Sequence, residues 1–205
     1  MNEGNDRQSE ELARVVDSLP ASVKLDNGET LELRLMQPED RDAIVAFASA
    51  LPVEDLLFLR VDITQPEVVD QWVARLADGF ATSLVATAGD RIVGYATVER
   101  NPARWTRRVG EIRVNVGPEY RSHGLGRQLT SKIFSIAYGM GLKKLMAQMT
   151  PDQLGAQAAF RRLGFVPEAV LADFVEDRNG RPRDLVIMSY DVDGLTDQAQ
   201  RPLRV

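Results

Sequence analysis

The densest chemistry in this 205-residue chain sits in Arg121-Ser122-His123-Gly124-Leu125-Gly126. Two glycines let a backbone approach a ligand closely and turn its N–H groups outward. The next residues read as a helix, and a helix start adds unpaired N–H groups and a positive dipole end. Together these can cradle a phosphate or pyrophosphate, with Arg121 and Arg127 adding cationic charge. A tight strand-to-helix turn uses the same residues, so the loop alone leaves both readings open. Two nucleotide patterns are excluded. A Walker loop needs Gly-Lys-Ser/Thr, and Gly126 is followed by Arg127-Gln128. A dinucleotide fingerprint needs a third glycine where Leu129 stands.

The second cluster precedes the loop. Over 109–116, Glu111, Arg113 and Asn115 alternate with Ile112, Val114 and Val116. In a strand the first three share one face. Such a face lines a cleft or meets solvent on an edge strand. His123 is the only histidine, and there is no cysteine. Cysteine nucleophiles, Fe–S clusters and multi-histidine metal sites are therefore excluded, and a Ser-His-Asp triad would have to use His123. His123 itself is either a phosphate contact or a solvated loop tip.

The elements that must position these groups follow from periodicity and punctuation. Residues 1–8 are polar and expected to fray; a short helix is expected from Ser9 to Leu19. Asp26-Asn27-Gly28 turns a hairpin between Ser22–Leu25 and Glu29–Met36. Helices are expected over 38–50, 52–60 and 66–78, and strands over 83–88, 91–100 and 109–116. Then come a helix (124–140), a strand (143–150), a helix (152–163) and two strands (165–175, 184–192). This order predicts one mixed α/β sheet. The domain is expected over 21–192, with an N-terminal helical extension (1–20) and a loose tail (193–205).

The net charge is −5, which argues against a nucleic-acid partner. There is no apolar leader at the N-terminus and no run of apolar residues long enough to span a membrane. A cytoplasmic protein is the expectation.

A wider window identifies more. V-G-E-I-R-V-N-V-G-P-E-Y-R-S-H-G-L-G-R-Q-L resembles the acyl-CoA-binding motif of the GNAT superfamily of N-acetyltransferases, an apolar strand followed by Arg/Gln-x-x-Gly-x-Gly/Ala and a helix. A-A-F-R-R-L-G-F is similar to that family's second motif, Asn-x-x-Ala-x-x-Leu-Tyr-x-x-x-Gly-Phe. The resemblance spans about 29–192 and implies a GNAT fold: about seven strands, a splayed parallel pair and flanking helices. It implies acetyl-CoA as cosubstrate and no metal. Backbone from Ser122 through His123, Gly124, Leu125 and Gly126 to Arg127, with Arg121, would hold the pyrophosphate. Val114 and Val116 would pair with pantetheine as an added strand does.

Two positions depart from the family pattern. Gln153 replaces the Asn that contacts pantetheine, and Phe160 replaces the Tyr that often protonates the leaving thiolate. A thiol pKa of about 8.5 leaves only about 1.5 units, or roughly 2 kcal/mol, for an acid to supply near pH 7. Phe160 is therefore expected to pack over pantetheine or in the core. Tyr95 and Tyr190 are alternative acids, although core packing explains both. In the family, acidic residues on the strand corresponding to 109–116 often act as the base. Glu111 takes that role by the resemblance, and Asn115 orients substrate or water. Glu54 and Asp55 could attract a cationic amine or simply face solvent, and Trp72 and Trp105 are expected to pack. L-P-V-E-D-L-L-F-L-R is similar to a stretch of GNAT domains linked to protein-lysine acetylation. The implied acceptor is a primary amine, on a small molecule or a protein, and a homodimer is compatible. A non-catalytic acyl-CoA sensor and a nucleotide-phosphate binder are the rival readings.

Overall fold

The computed structural model describes residues 3–56, 59, 61–177 and 179–192. The chain opens with α1 (Glu3–Asp17), then β1 (Ala21–Lys24) and β2 (Thr30–Leu35). Next come α2 (Arg41–Ser49), α3 (Val53–Leu56) and α4 (Pro66–Ala77). The strands β3 (Ala81–Ala88), β4 (Arg91–Arg100) and β5 (Val109–Val116) follow. The remainder is α5 (Leu125–Gly139), β6 (Lys144–Met149), α6 (Leu154–Arg162), β7 (Val166–Glu176) and β8 (Pro182–Asp191).

The eight strands form one sheet in the order β1-β2-β3-β4-β5-β6-β8-β7. The resemblance implies about seven, whereas the hairpin arms and the six later strands read from the sequence make eight; the arm β1 is an edge strand, paired from Ala21↔Leu33 to Lys24↔Thr30. α1 starts at Glu3, so the fraying expected over 1–8 does not hold for the described part of that stretch. Its outer face needs only water, and its inner face is anchored by Val15, which is buried in the main core. The helix expected over 52–60 is confined to Val53–Leu56 among the described residues, while 57, 58, 60 and the tail 193–205 lie outside them.

Helices cover both faces of the sheet, so the interiors of β3 and β4 are buried nearly throughout. On one face Leu33, Leu84, Ala96, Val98 and Ile112 meet Leu125, Leu129, Ile133 and Ile136 of α5. On the other, Val85, Ile92 and Tyr95 meet Ile44 and Phe47 of α2 and Val69 and Trp72 of α4. A polar chain inside this second layer is satisfied: Trp72 Nε1 donates to Ser83 Oγ at 3.0 Å, and Ser83 Oγ donates to Thr97 Oγ1 at 2.8 Å. A bidentate ion pair fixes the passage from β2 to α2. Arg34 Nη1 and Nη2 each bond an Asp40 carboxylate oxygen at 2.7 Å, and Gln37 N–H donates to Asp40 Oδ2 at 2.8 Å.

Candidate active site

β5 lies inside the sheet, antiparallel to β4 and parallel to β6. The edge-strand reading of its polar face is thereby removed. β5 and β6 pair only over Val109–Glu111 and Lys144–Met146, whereas β6 stays paired with β8 as far as Met149↔Val186. The two parallel strands therefore part company. Ile112–Val116 has lost its β6 partner, and a backbone edge without its ladder can pair with an extended ligand. The starts of α5 and α6 follow the diverging ends of β5 and β6.

The loop after β5 is held from below. Gly117 N–H donates to Val93 O at 2.9 Å, and Tyr120 is buried. Beyond it the backbone turns left-handed twice, at Ser122 (φ 62°) and at Gly124 (φ 88°), the N-cap of α5. Helix geometry leaves the first N–H groups of α5 without an intrahelical acceptor. The two glycines differ. A Cβ on Gly124 would be strained by its φ and would meet Asp26 Oδ2 at 3.1 Å. A Cβ on Gly126 would meet only Val116 Cγ2, at an ordinary 3.7 Å. Nothing in the fold demands glycine at 126, so the open space there suits a ligand that lies against the backbone. The donor amides and this space fit a pyrophosphate group.

Of the cradle side chains, Arg121 is held by two partners. Arg121 Nε donates to Val116 O at 2.9 Å and its Nη2 to Asp55 Oδ2 at 2.5 Å, so Asp55 is tied to the cradle. The Glu54 side chain lies outside the described residues. His123 is half-buried and its carbonyl accepts from Asp26 N–H at 3.0 Å. Leu125 is buried, while Ser122 and Arg127 are exposed. Across the opening, Gln153 N-caps α6, and its Oε1 accepts from Thr150 N–H at 3.0 Å. Gln157, not singled out from the sequence, is buried beside it and donates to Pro151 O at 2.8 Å. Phe160 packs edge-on to Phe165, centroids 4.9 Å apart, in the α5 layer.

The polar face of β5 carries a network that sequence patterning only half reveals. Glu111 stands opposite Glu99 in the β4–β5 register, Arg113 opposite Thr97 and Asn115 opposite Tyr95. Directly paired residues share a face. Glu99 is bonded by Arg113 and, at 3.0 Å, by Arg75 Nε from α4. Arg113 Nε is buried without a hydrogen-bond partner among the described residues. Glu99 was missed because its partners are 24 and 14 residues away; its alternation with Thr97 and Tyr95 was the available signal.

Both candidate tyrosines pack. Tyr95 is 4% exposed and lies against Trp72 at 5.0 Å. Burial pushes its pKa up, against the Arg113 charge and the Asn115 amide. Tyr190 packs on Phe134 and Phe165. Trp72 is core, but Trp105 is 89% exposed and does not pack as expected. It sits on a short 3-10 turn, Arg104–Thr106, in the β4–β5 connection. Among the described residues no group of three or more His, Cys, Asp or Glu is placed to hold a metal ion, and no helix is long and apolar enough to cross a membrane.

Comparison with known proteins agrees with this geometry. The model of the acetyltransferase (GNAT) family matches residues 50–165, more than half of the chain. No curated protein matched the sequence. A GNAT-family acetyltransferase from Streptococcus pneumoniae superposes with a TM-score of 0.69 at 21% identity, covering 78% of this chain and 99% of that one. A ribosomal-protein-alanine N-acetyltransferase from Brucella melitensis superposes at 0.66 with 25% identity, covering 78% and 98%. The protein yncA of Salmonella typhimurium, solved with its cofactor acetyl-CoA, superposes at 0.66 with 23% identity, covering 82% and 97%. With two sequence motifs, the splayed parallel pair and the family match in agreement, the chain belongs to the GNAT acetyltransferase family.

Proposed function

We propose that the chain transfers an acetyl group from acetyl-CoA directly to a primary amine within a ternary complex. The observation that carries this is the cleft itself: a β5 edge released from β6 at Ile112, ending in an amide cradle whose Gly126 leaves room for a ligand. Amides of Ser122–Arg127 hold the pyrophosphate, and Val114 and Val116 pair with the pantetheine arm, as the family motif implies. Acetyl-CoA supplies the activated acyl group when bound.

The remaining work falls to side chains of the polar face. An amine with a pKa near 10 arrives protonated and must lose a proton before attack. Glu111, half-buried beside the cleft, takes that proton through water, and Asn115 orients the acceptor. The amine nitrogen bonds to the carbonyl carbon, the C–S bond breaks, and the thiolate leaves with its electron pair. Strand amides stabilise the carbonyl oxygen as its charge develops. The attacking nitrogen gives up its second proton and the thiolate takes one up, both by way of water, since Phe160 has none to give. Protein N-termini belong in the acceptor range because the Brucella melitensis neighbour acts on a ribosomal-protein alanine.

Thiol release from acetyl-CoA in the presence of small amines, lysine peptides and alanine N-terminal peptides tests the reading. Turnover with any of them supports it. Tight CoA binding with no turnover across the panel favours a non-catalytic sensor. ATP or NAD affinity equal to that of CoA keeps the phosphate cradle and favours a nucleotide-phosphate binder over an acetyltransferase.

A further inference from the structure

We propose that Asp26, at the tip of the β1–β2 turn, is the cradle's built-in counter-charge and sets how tightly the coenzyme binds. The inference rests on the pyrophosphate reading above. The turn is docked onto the loop by a backbone bond, Asp26 N–H to His123 O at 3.0 Å. Its carboxylate lies over Gly124: Oδ2 is 3.1 Å and Oδ1 3.5 Å from where a Cβ on that glycine would stand. The placement is rigid. Leu25 is buried in the main core and its N–H bonds Glu29 O at 2.8 Å. Gly28 N–H closes the turn onto Leu25 O at 2.9 Å, and Asn27 Oδ1 accepts from Glu29 N–H at 3.0 Å.

Among the described residues, Asp26 has no cationic partner. The nearby Arg121 guanidinium is committed to Asp55 and to Val116 O. What Asp26 faces instead is the left-handed turn and the positive end of α5. In the free protein a carboxylate there favours the helix start. A bound diphosphate competes for the same positive potential and meets a like charge a few ångströms away. Asp26 thus stabilises the empty cradle and weakens the filled one.

Asp26→Asn removes the charge and keeps the shape. Titration calorimetry with CoA should show affinity rising about three- to tenfold at low ionic strength. The gain should shrink in 0.5 M salt, because the effect is Coulombic. Inorganic pyrophosphate, used as a competitor, should gain in parallel, while the ligand-free melting temperature falls slightly. Asp26→Ser, which also lacks the charge, should behave alike. Unchanged CoA affinity in both variants, with the wild type binding normally, overturns the role of Asp26 and leaves the pyrophosphate reading standing. Weaker binding in both also overturns it, and assigns the carboxylate as an acceptor for a ligand hydroxyl. A wild type that binds neither CoA nor pyrophosphate overturns the pyrophosphate reading, and this role with it.

Discussion

Gly124 and Gly126 look alike in the sequence and do different work. Gly124 has a left-handed φ of 88° and Asp26 beside it, so alanine there strains the backbone by roughly 1–2 kcal/mol before any ligand is considered. Gly126 is helical with open space, so Gly126→Ala should leave the melting temperature nearly unchanged. Gly126→Leu fills that space and should weaken CoA binding tenfold or more, about 1.4 kcal/mol, in a titration; wild-type affinity would remove the close approach. Glu111→Gln should lower turnover about 100-fold while CoA affinity holds, the signature of a lost base. An unchanged rate would exclude it. Phe160→Tyr returns the family's phenol to a half-buried ring on Phe165 and should raise turnover by no more than about 30-fold, the size of the 1.5-unit gap in pKa. At this scale the sequence was most readable where a residue's type is its function. The glycines, the polar strand face and the Gln153 and Phe160 departures were visible. Glu99 and Asp26 were not, because each acts on a residue that only the folded chain brings near.

Elements were legible for a related reason. The α5 and α4 stripes and the β4–β5 alternation are local periodicities, whereas the ends of α1 and α3 depend on what each helix docks against. α1 shows this best. It lies so close to α5 that a Cβ on Gly139 would fall 2.6 Å from Leu12 Cβ and 2.7 Å from its Cα and backbone N. The first helix is therefore seated on the domain rather than trailing from it. Gly139→Ala must push α1 away and should cost about 1–3 kcal/mol, read as a lower denaturant midpoint. The α2 junction predicts a pH effect. Burial works to raise the Asp40 pKa, but the Arg34 bond, the Gln37 amide and the Arg34 charge outweigh it, and the carboxyl titrates below its ordinary range. A depressed folded pKa adds stability above the unfolded value of about 4 and loses it as pH falls through the lower folded value. Asp40→Asn should therefore cost roughly 2–3 kcal/mol at pH 7 and flatten the stability profile below pH ~4. A variant that keeps the wild-type acid limb would dissociate the pair from that stability.

At the scale of the molecule, the antiparallel pairs β1–β2, β3–β4 and β7–β8 were foreseeable from short connections, but the parallel contact of β5 with β6 was not written in either strand. It follows from the α5 crossover, which lays β6 beside β5, and from β8, which continues with β6 after β5 has turned away. The interior of the sheet thus opens between β5 and β6 beyond Glu111, and the released edge Ile112–Val116 is bordered by the cradle at one end and the Glu99–Arg113 pair on one face. An opening in a central sheet leaves backbone groups and apolar surface without partners, so filling it should stabilise the whole fold. Ligand that binds only the folded state adds about 2.7 kcal/mol at a concentration 100 times its dissociation constant. For a chain of this length each kcal/mol is worth roughly 2–4 °C. Thermal melts at saturating CoA should therefore shift upward by about 5–10 °C. Pantetheine, which can pair with β5 but cannot fill the cradle, should give a smaller shift, and ATP, which has phosphates but no arm to complete the sheet, should also give less. Equal shifts from ATP and CoA would show that the open edge contributes nothing to binding and would leave the phosphate cradle as the whole of the site.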